Sequence, residues 1–334
     1  MFRKLLPILL AFSLFTPIVV KAEDELYLGG DSIGIEVQYD GVVISGTYAI
    51  HTDSGLYDPK DHGIEVGDRI IAVNEQKISS MNDLYNALSN YQNPKNELQL
   101  TIVRNQEPIN VDLLTQYNKT QKNFQSGLYI KDKITGVGTL TFYDPTHKTF
   151  GALGHEIMDS DLKEIADVHQ GTIYPATVTS ITKAQEHIAG EKHATIAYHQ
   201  PVGTVTQNTP IGIYGTYDQV IDANAKKLPW AKQSEIHTGK AMIYTVLNGD
   251  EIKPYEIEIT RLHKQKQTDM KGIEFAITDQ ALLQESNGVI QGMSGSPIVQ
   301  DGKIIGAITH VITSDPHKGY GVYIEWMLEQ VNQN

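Results

Sequence analysis

The sequence predicts a mainly β protein built as two units, a small mixed α/β unit followed by a larger all-β one. Two observations carry that prediction. One helical stretch, Met81 to Ser89, sits among short alternating strands in the N-terminal part of the chain. From about Gly127 the texture changes to many short β-branched strands separated by Gly and Thr turns, the pattern of a sandwich or barrel. The 334 residues give room for about two domains. With 40% hydrophobic and 20% charged residues, the composition is that of a globular protein.

The chain opens on Arg3 and Lys4, then an apolar run from Leu5 to Val20, then Val20-Lys21-Ala22. That three-part order is a secretory signal, expected to be cut after Ala22 or retained as an anchor. Residues 1–22 are therefore set apart as a signal peptide or membrane anchor. From 23 to 115 the small unit is expected. Ile33 to Val37 and Gly41 to Ile44 alternate as strands, and Gly63 to Asn74 reads as a turn feeding a strand. Ser80 is placed to cap the helix that presents Leu84, Tyr85 and Leu88 on one face. Leu98 to Arg104 alternates as the last strand. Residues 116–126 are polar and read as a linker. The all-β unit then runs from 127 to 334, with strands at Gly136–Tyr143, Gly171–Val178, Ile211–Gly215 and Lys303–Thr309, and a closing helix from about Ile324 to Val331.

The net charge of −13 sets the chain against nucleic acid and anionic lipid, because phosphates repel it and no Lys/Arg block overrides the total. There are no cysteines, so disulfides, thiol chemistry and Cys-ligated zinc are excluded. His187 and His193 are six apart, without zincin spacing, so no metal and no cofactor are expected.

Chemistry concentrates in Gly292-Met293-Ser294-Gly295-Ser296-Pro297. The two glycines permit backbone conformations closed to other residues. Such a loop can aim the amides of Gly292 and Ser294 at one oxyanion, beside the Ser294 hydroxyl. That hydroxyl needs a base. Among the 12 histidines, His155 stands out, in the small-residue turn Gly151-Ala152-Leu153-Gly154-His155. Asp279, after the alternating Phe275-Ala276-Ile277-Thr278, is a candidate to orient the imidazole, with Asp218, Asp222 and Asp315 as competitors. Asp279 also reads as the N-cap of a helix starting at Gln280.

Two resemblances follow from these residues. Gly63-Ile64-Glu65-Val66-Gly67-Asp68-Arg69-Ile70-Ile71-Ala72-Val73-Asn74 resembles the PDZ signature, which makes Ser32-Ile33-Gly34-Ile35 similar to the loop that holds a peptide's terminal carboxylate. The Ser294 segment is similar to the G-x-S-G-[GS]-P signature of chymotrypsin-like peptidases, which implies a double β-barrel. Together with Gly127 to Asp132, Gly136 to Tyr143 and Gly319 to Leu328, the whole resembles the stage IV sporulation protein B (SpoIVB) peptidases. That resemblance implies a triad of His155, Asp279 and Ser294. It further implies a regulatory serine endopeptidase exported from the forespore into the space between two membranes. There it would cut itself and a membrane-embedded regulator of an intramembrane protease, releasing a late sporulation sigma factor, with a peptide as the PDZ ligand. Glu156 departs from the small residue usual after the histidine. The alternative is an inactive PDZ-containing adaptor on a peptidase-like scaffold.

Overall fold

The computed structural model describes residues 25–53, 55–90, 97–118, 123–219 and 225–331. The signal or anchor segment 1–22 lies outside them, as does Asp222. Among the described residues no helix is long and apolar enough to cross a membrane.

Two closed barrels of six strands dominate. The first contains β1 (Ser32–Thr47), β2 (Leu128–Asp144), β3 (Thr149–Ala152), β4 (Gln170–Thr182), β5 (Gly203–Thr209) and β6 (Gly212–Tyr217). They pair around a ring in the order β1-β2-β3-β6-β5-β4 and back to β1. Ile35, Val37, Leu140, Phe150, Ile173, Val205 and Ile213 fill its interior. The second barrel contains β7 (Gly239–Thr245), β8 (Lys253–Leu262), β9 (Ile273–Ile277), β10 (Pro297–Gln300), β11 (Lys303–Val311) and β12 (Lys318–Tyr323), closed in the order β7-β8-β9-β12-β11-β10. Its strands follow period two: in β9, Ile273, Phe275 and Ile277 point into the core while Glu274 and Ala276 do not. A helix, α3 (Ile324–Val331), docks Met327 and Leu328 among Phe142, Ile211 and Tyr214 of the first barrel and Ile304 of the second, and so joins the two barrels.

The small unit is not a separate N-terminal bead. Instead of two short strands, residues 32–47 form one strand of 16 residues. Its first half, Ser32 to Gln38, is a wall of the first barrel, paired with β2 on one side and β4 on the other. Its second half enters the small unit, where Val42 and Val43 pair with the strand Arg69–Val73. The chain then builds the unit and returns along β2, where Leu128 to Ile130 pair with Ile44 to Thr47. The small unit is thus inserted between the first and second strands of a barrel. Alternation marks Ile33 to Val37 as a strand without saying which sheet it joins.

The described ends of the expected linker are strands. Gln116–Asn118 pairs with Asn123–Gln125, and Tyr117 packs edge-on against Phe124. Within the small unit, α1 (Met81–Asn90) starts as expected: the Asp83 amide donates to the Ser80 hydroxyl, and the Ser79 amide donates to the Asp83 carboxylate. Leu84 joins a core of Val42, Ile44, Ile64, Ile70, Leu100 and Ile102.

One ion pair explains the Gly67-Asp68 signature. Asp68 is 1% exposed, and both its oxygens receive Arg104, at 2.6 and 2.7 Å. The Glu65 amide donates to the same carboxylate at 2.8 Å, closing the turn. Removing the guanidinium leaves a buried charge unpaired. We expect Arg104→Met to destabilise the small unit by roughly 3 kcal/mol, read as a lowered melting transition. A melting curve unchanged from the parent would refute this role.

Candidate active site

The nucleophile loop lies between the barrels. It follows the short strand Ile290–Gln291 and leads into β10. Gly292 and Gly295 both have left-handed φ, +90° and +92°, which glycine adopts without strain. Gly295 also has no room for a side chain: a Cβ would stand 2.1 Å from the Thr139 carbonyl oxygen and 2.5 Å from the Leu153 amide nitrogen. Met293 is fully buried in the second barrel, so the next residue, Ser294, is turned to the cleft. The loop spends its amides unevenly. Met293 N–H donates to Ile290, Gly295 N–H to Ile308 and Ser296 N–H to Met293. Among the described residues the Ser294 amide has no acceptor, as an oxyanion donor requires.

The first barrel holds this loop from the other side. Thr139 N–H donates to the Ser294 carbonyl at 3.0 Å, and its hydroxyl donates to the Gly292 carbonyl at 2.7 Å. The Thr141 hydroxyl donates to the Gly295 carbonyl at 2.8 Å. Both threonines are buried. The Thr139 carbonyl accepts in turn from Leu153 N–H, at the start of the turn that carries His155.

His155 follows β3. Gly154 takes φ of +71° and passes close to β11, where a Cβ would come 3.1 Å from Ile308 O. Beyond the histidine, Asn208 pins the turn: it accepts from Ile157 N–H at 2.8 Å and donates to the Ile157 and Ala166 carbonyls. His155 Nδ1 is 2.7 Å from the Glu156 carbonyl oxygen. A carbonyl only accepts, so Nδ1 carries the proton and Nε2 is left bare. Burial holds the imidazole below its ordinary 6.5, which keeps it neutral at pH 7. A neutral ring with a bare Nε2 is the state a general base needs.

Ser294 and His155 line one cleft of about 620 Å³ between the barrels. Its walls come from β1 (Ile35, Val37), β2 (Ile134, Val137) and the loop before Ser294. In this structure the Ser294 hydroxyl donates to the Thr309 carbonyl at 3.0 Å and not to the imidazole. Such hydrogen bonds are often loose before substrate binds.

The structure does not bring Asp279 to His155. Its carboxylate caps α2 (Gln280–Ser286), accepting from Leu282 N–H at 3.0 Å, and it also accepts from Glu256 N–H at 3.3 Å. The imidazole is oriented by a backbone carbonyl instead. Of the competitors, Asp315 pairs with Lys318 at 2.8 Å, and Asp218 does not line the cleft. The proposed carboxylate-binding loop is corrected too. All four residues, Ser32, Ile33, Gly34 and Ile35, lie in β1: Ile33, Gly34 and Ile35 are paired on both edges and Ser32 on the β2 side, so Ile33 to Ile35 offer no free edge to a peptide. Gly34 is required for packing, since a Cβ would lie 2.3 Å from Ile196. Ser296 is fully buried, and its hydroxyl has no partner, which removes it as a rival nucleophile. His193 meets the Thr182 hydroxyl, while His187 lies 3.6 Å from Glu186.

Two residues near the site were not legible in the sequence. The His310 ring stands 5.2 Å from that of His155, centroid to centroid, and burial lowers it as well. Lys192 is buried with its stem against Gly292 and its ammonium 2.8 Å from the Thr245 hydroxyl. Burial pushes it down to about 7. The only sequence signal for Lys192 is its place at a core-facing position of the alternating strand Gly190–Ile196.

A serine and a neutral histidine facing one cleft between two β-barrels are the working parts of a serine peptidase. Comparison with known proteins gives the family. The model of the SpoIVB peptidase S55 family matches residues 122–328, and a PDZ domain model matches residues 33–115. The chain belongs to the SpoIVB peptidase S55 family and is a serine peptidase by that membership. Two similar solved structures are of the Rv3671c protease. Its inactive form is 15% identical over 58% of this chain and 82% of that one, with a TM-score of 0.31. Its active form, from M. tuberculosis, is 14% identical over 59% and 73%, with a TM-score of 0.32. Scores this low do not bear on residue roles. No curated protein matches the chain.

Two outcomes follow from the geometry. Asparagine caps a helix as well as aspartate does, so Asp279→Asn should keep kcat/KM within about threefold, whereas loss of a triad acid costs about 10⁴-fold. A loss of that size in a folded variant would put Asp279 back on the imidazole. Because burial lowers His155, its neutral form persists below pH 6.5. The acid limb of kcat/KM should therefore have its midpoint below 6.5, and a midpoint above that value would contradict the buried base.

Proposed function

We propose that this chain is an exported regulatory serine endopeptidase that cleaves itself and a membrane-embedded regulator of an intramembrane protease, in the signalling route to a late sporulation sigma factor. The observation that carries the reading is the shared cleft: Ser294 from the second barrel, and His155 from the first with its bare Nε2. Ser294 Oγ attacks the scissile carbonyl and its proton passes to His155 Nε2. The same imidazole then protonates the leaving amine, and water repeats the cycle on the acyl-enzyme. The amides of Gly292 and Ser294 hold the oxyanion. The Glu156 carbonyl keeps the ring in the required tautomer. Export is supported by the charged and apolar start of the sequence, and the signalling role by membership of the family.

The purified full chain tests this directly. Wild type is expected to convert itself to shorter species on incubation, while Ser294→Ala stays full length with the same melting temperature. Identical banding of the two proteins would refute self-cleavage and favour the adaptor.

A further inference from the structure

We propose that Glu156 makes this peptidase selective for substrates carrying a lysine or arginine side chain beside the scissile bond. The inference rests on the peptidase reading above and deepens it. The cleft is apolar over most of its wall, with Ile35, Val37, Ile134, Val137, Leu153 and Ile290. Among its lining residues Glu156 alone carries a formal charge at pH 7. The other titratable groups in it, His155 and His310, are held neutral by burial and do not compensate the carboxylate. Glu156 forms no salt bridge within the described residues, and its Oε2 is buried without any hydrogen-bond donor.

A buried carboxylate oxygen without a donor is costly, and turning the Glu156 side chain to meet a donor that arrives with the substrate removes that cost. Ammonium and guanidinium groups do so best, through charge-assisted bonds in a desolvated site. An apolar side chain leaves the oxygen unpaired, so the site discriminates by what it fails to satisfy. The long methylene stems of Lys and Arg also suit the apolar wall. Position favours the same reading. The Glu156 backbone is fixed on one side by the His155 ring and on the other by Asn208 bonds to Ile157, so its side chain starts beside His155. The net charge of −13 draws basic segments toward the chain.

The test uses the full chain and a mixed library of decapeptides, with cleavage sites read by mass spectrometry. Pairs of peptides differing only in arginine against citrulline give the selectivity ratio. Wild type should cut after fixing Lys or Arg at one position within two residues of the bond, favouring arginine over citrulline by at least about tenfold. Glu156→Gln keeps the backbone carbonyl that orients His155, and should bring the ratio close to one. Glu156→Lys should turn the preference to acidic peptides. Cleavage without a basic preference, or a preference that Glu156→Gln leaves intact, overturns the assignment while leaving the peptidase standing. No cleavage of any peptide by wild type overturns both.

Discussion

Thr139 ties the two halves of the candidate active site together. Its amide and hydroxyl hold the carbonyls of Ser294 and Gly292, and its own carbonyl receives Leu153, two residues before His155. Each barrel supplies one candidate residue, Ser294 or His155, so the site depends on how the barrels are fastened. Buried carbonyls need donors, at a cost of about 1–3 kcal/mol for each one left bare. Thr139 and Thr141 supply those donors from one face of β2, while Leu140, between them, turns into the core of the first barrel. Gly295 completes the fit, because any side chain there would strike Thr139 and Leu153.

The same strands carry the second unit. β1 and β2 line the cleft with Ile35, Val37, Ile134 and Val137, then continue as a paired ribbon into the small domain. No flexible linker separates that domain from the cleft wall on this path. A serine peptidase with its PDZ-like unit built into a barrel strand couples that unit to the cleft wall through backbone hydrogen bonds.

Local sequence revealed what local physics determines. Ser294 was legible because Gly292, Gly295 and Pro297 force a recognisable loop, and α1 and α3 because caps and periodicity mark helices. Asp279 carried two legible roles, and the structure keeps the cap while the Glu156 carbonyl takes the imidazole. That substitution is invisible in sequence, since every residue owns a carbonyl. Ser32 to Ile35 misled for a related reason. Gly34 looks like a turn glycine, but it is small because Ile196, far along the chain, packs onto it. Lys192, His310 and the Thr139 clamp all depend on contacts between distant strands, which no local pattern encodes.

The central claim is that Ser294 is a nucleophile activated by His155 across the barrel interface. The most direct measurement is the site of covalent modification by a fluorophosphonate, mapped by mass spectrometry on the full chain. The account predicts a single adduct on Ser294 that disappears in His155→Ala. An adduct on another serine, or one on Ser294 that forms equally fast without His155, would contradict it.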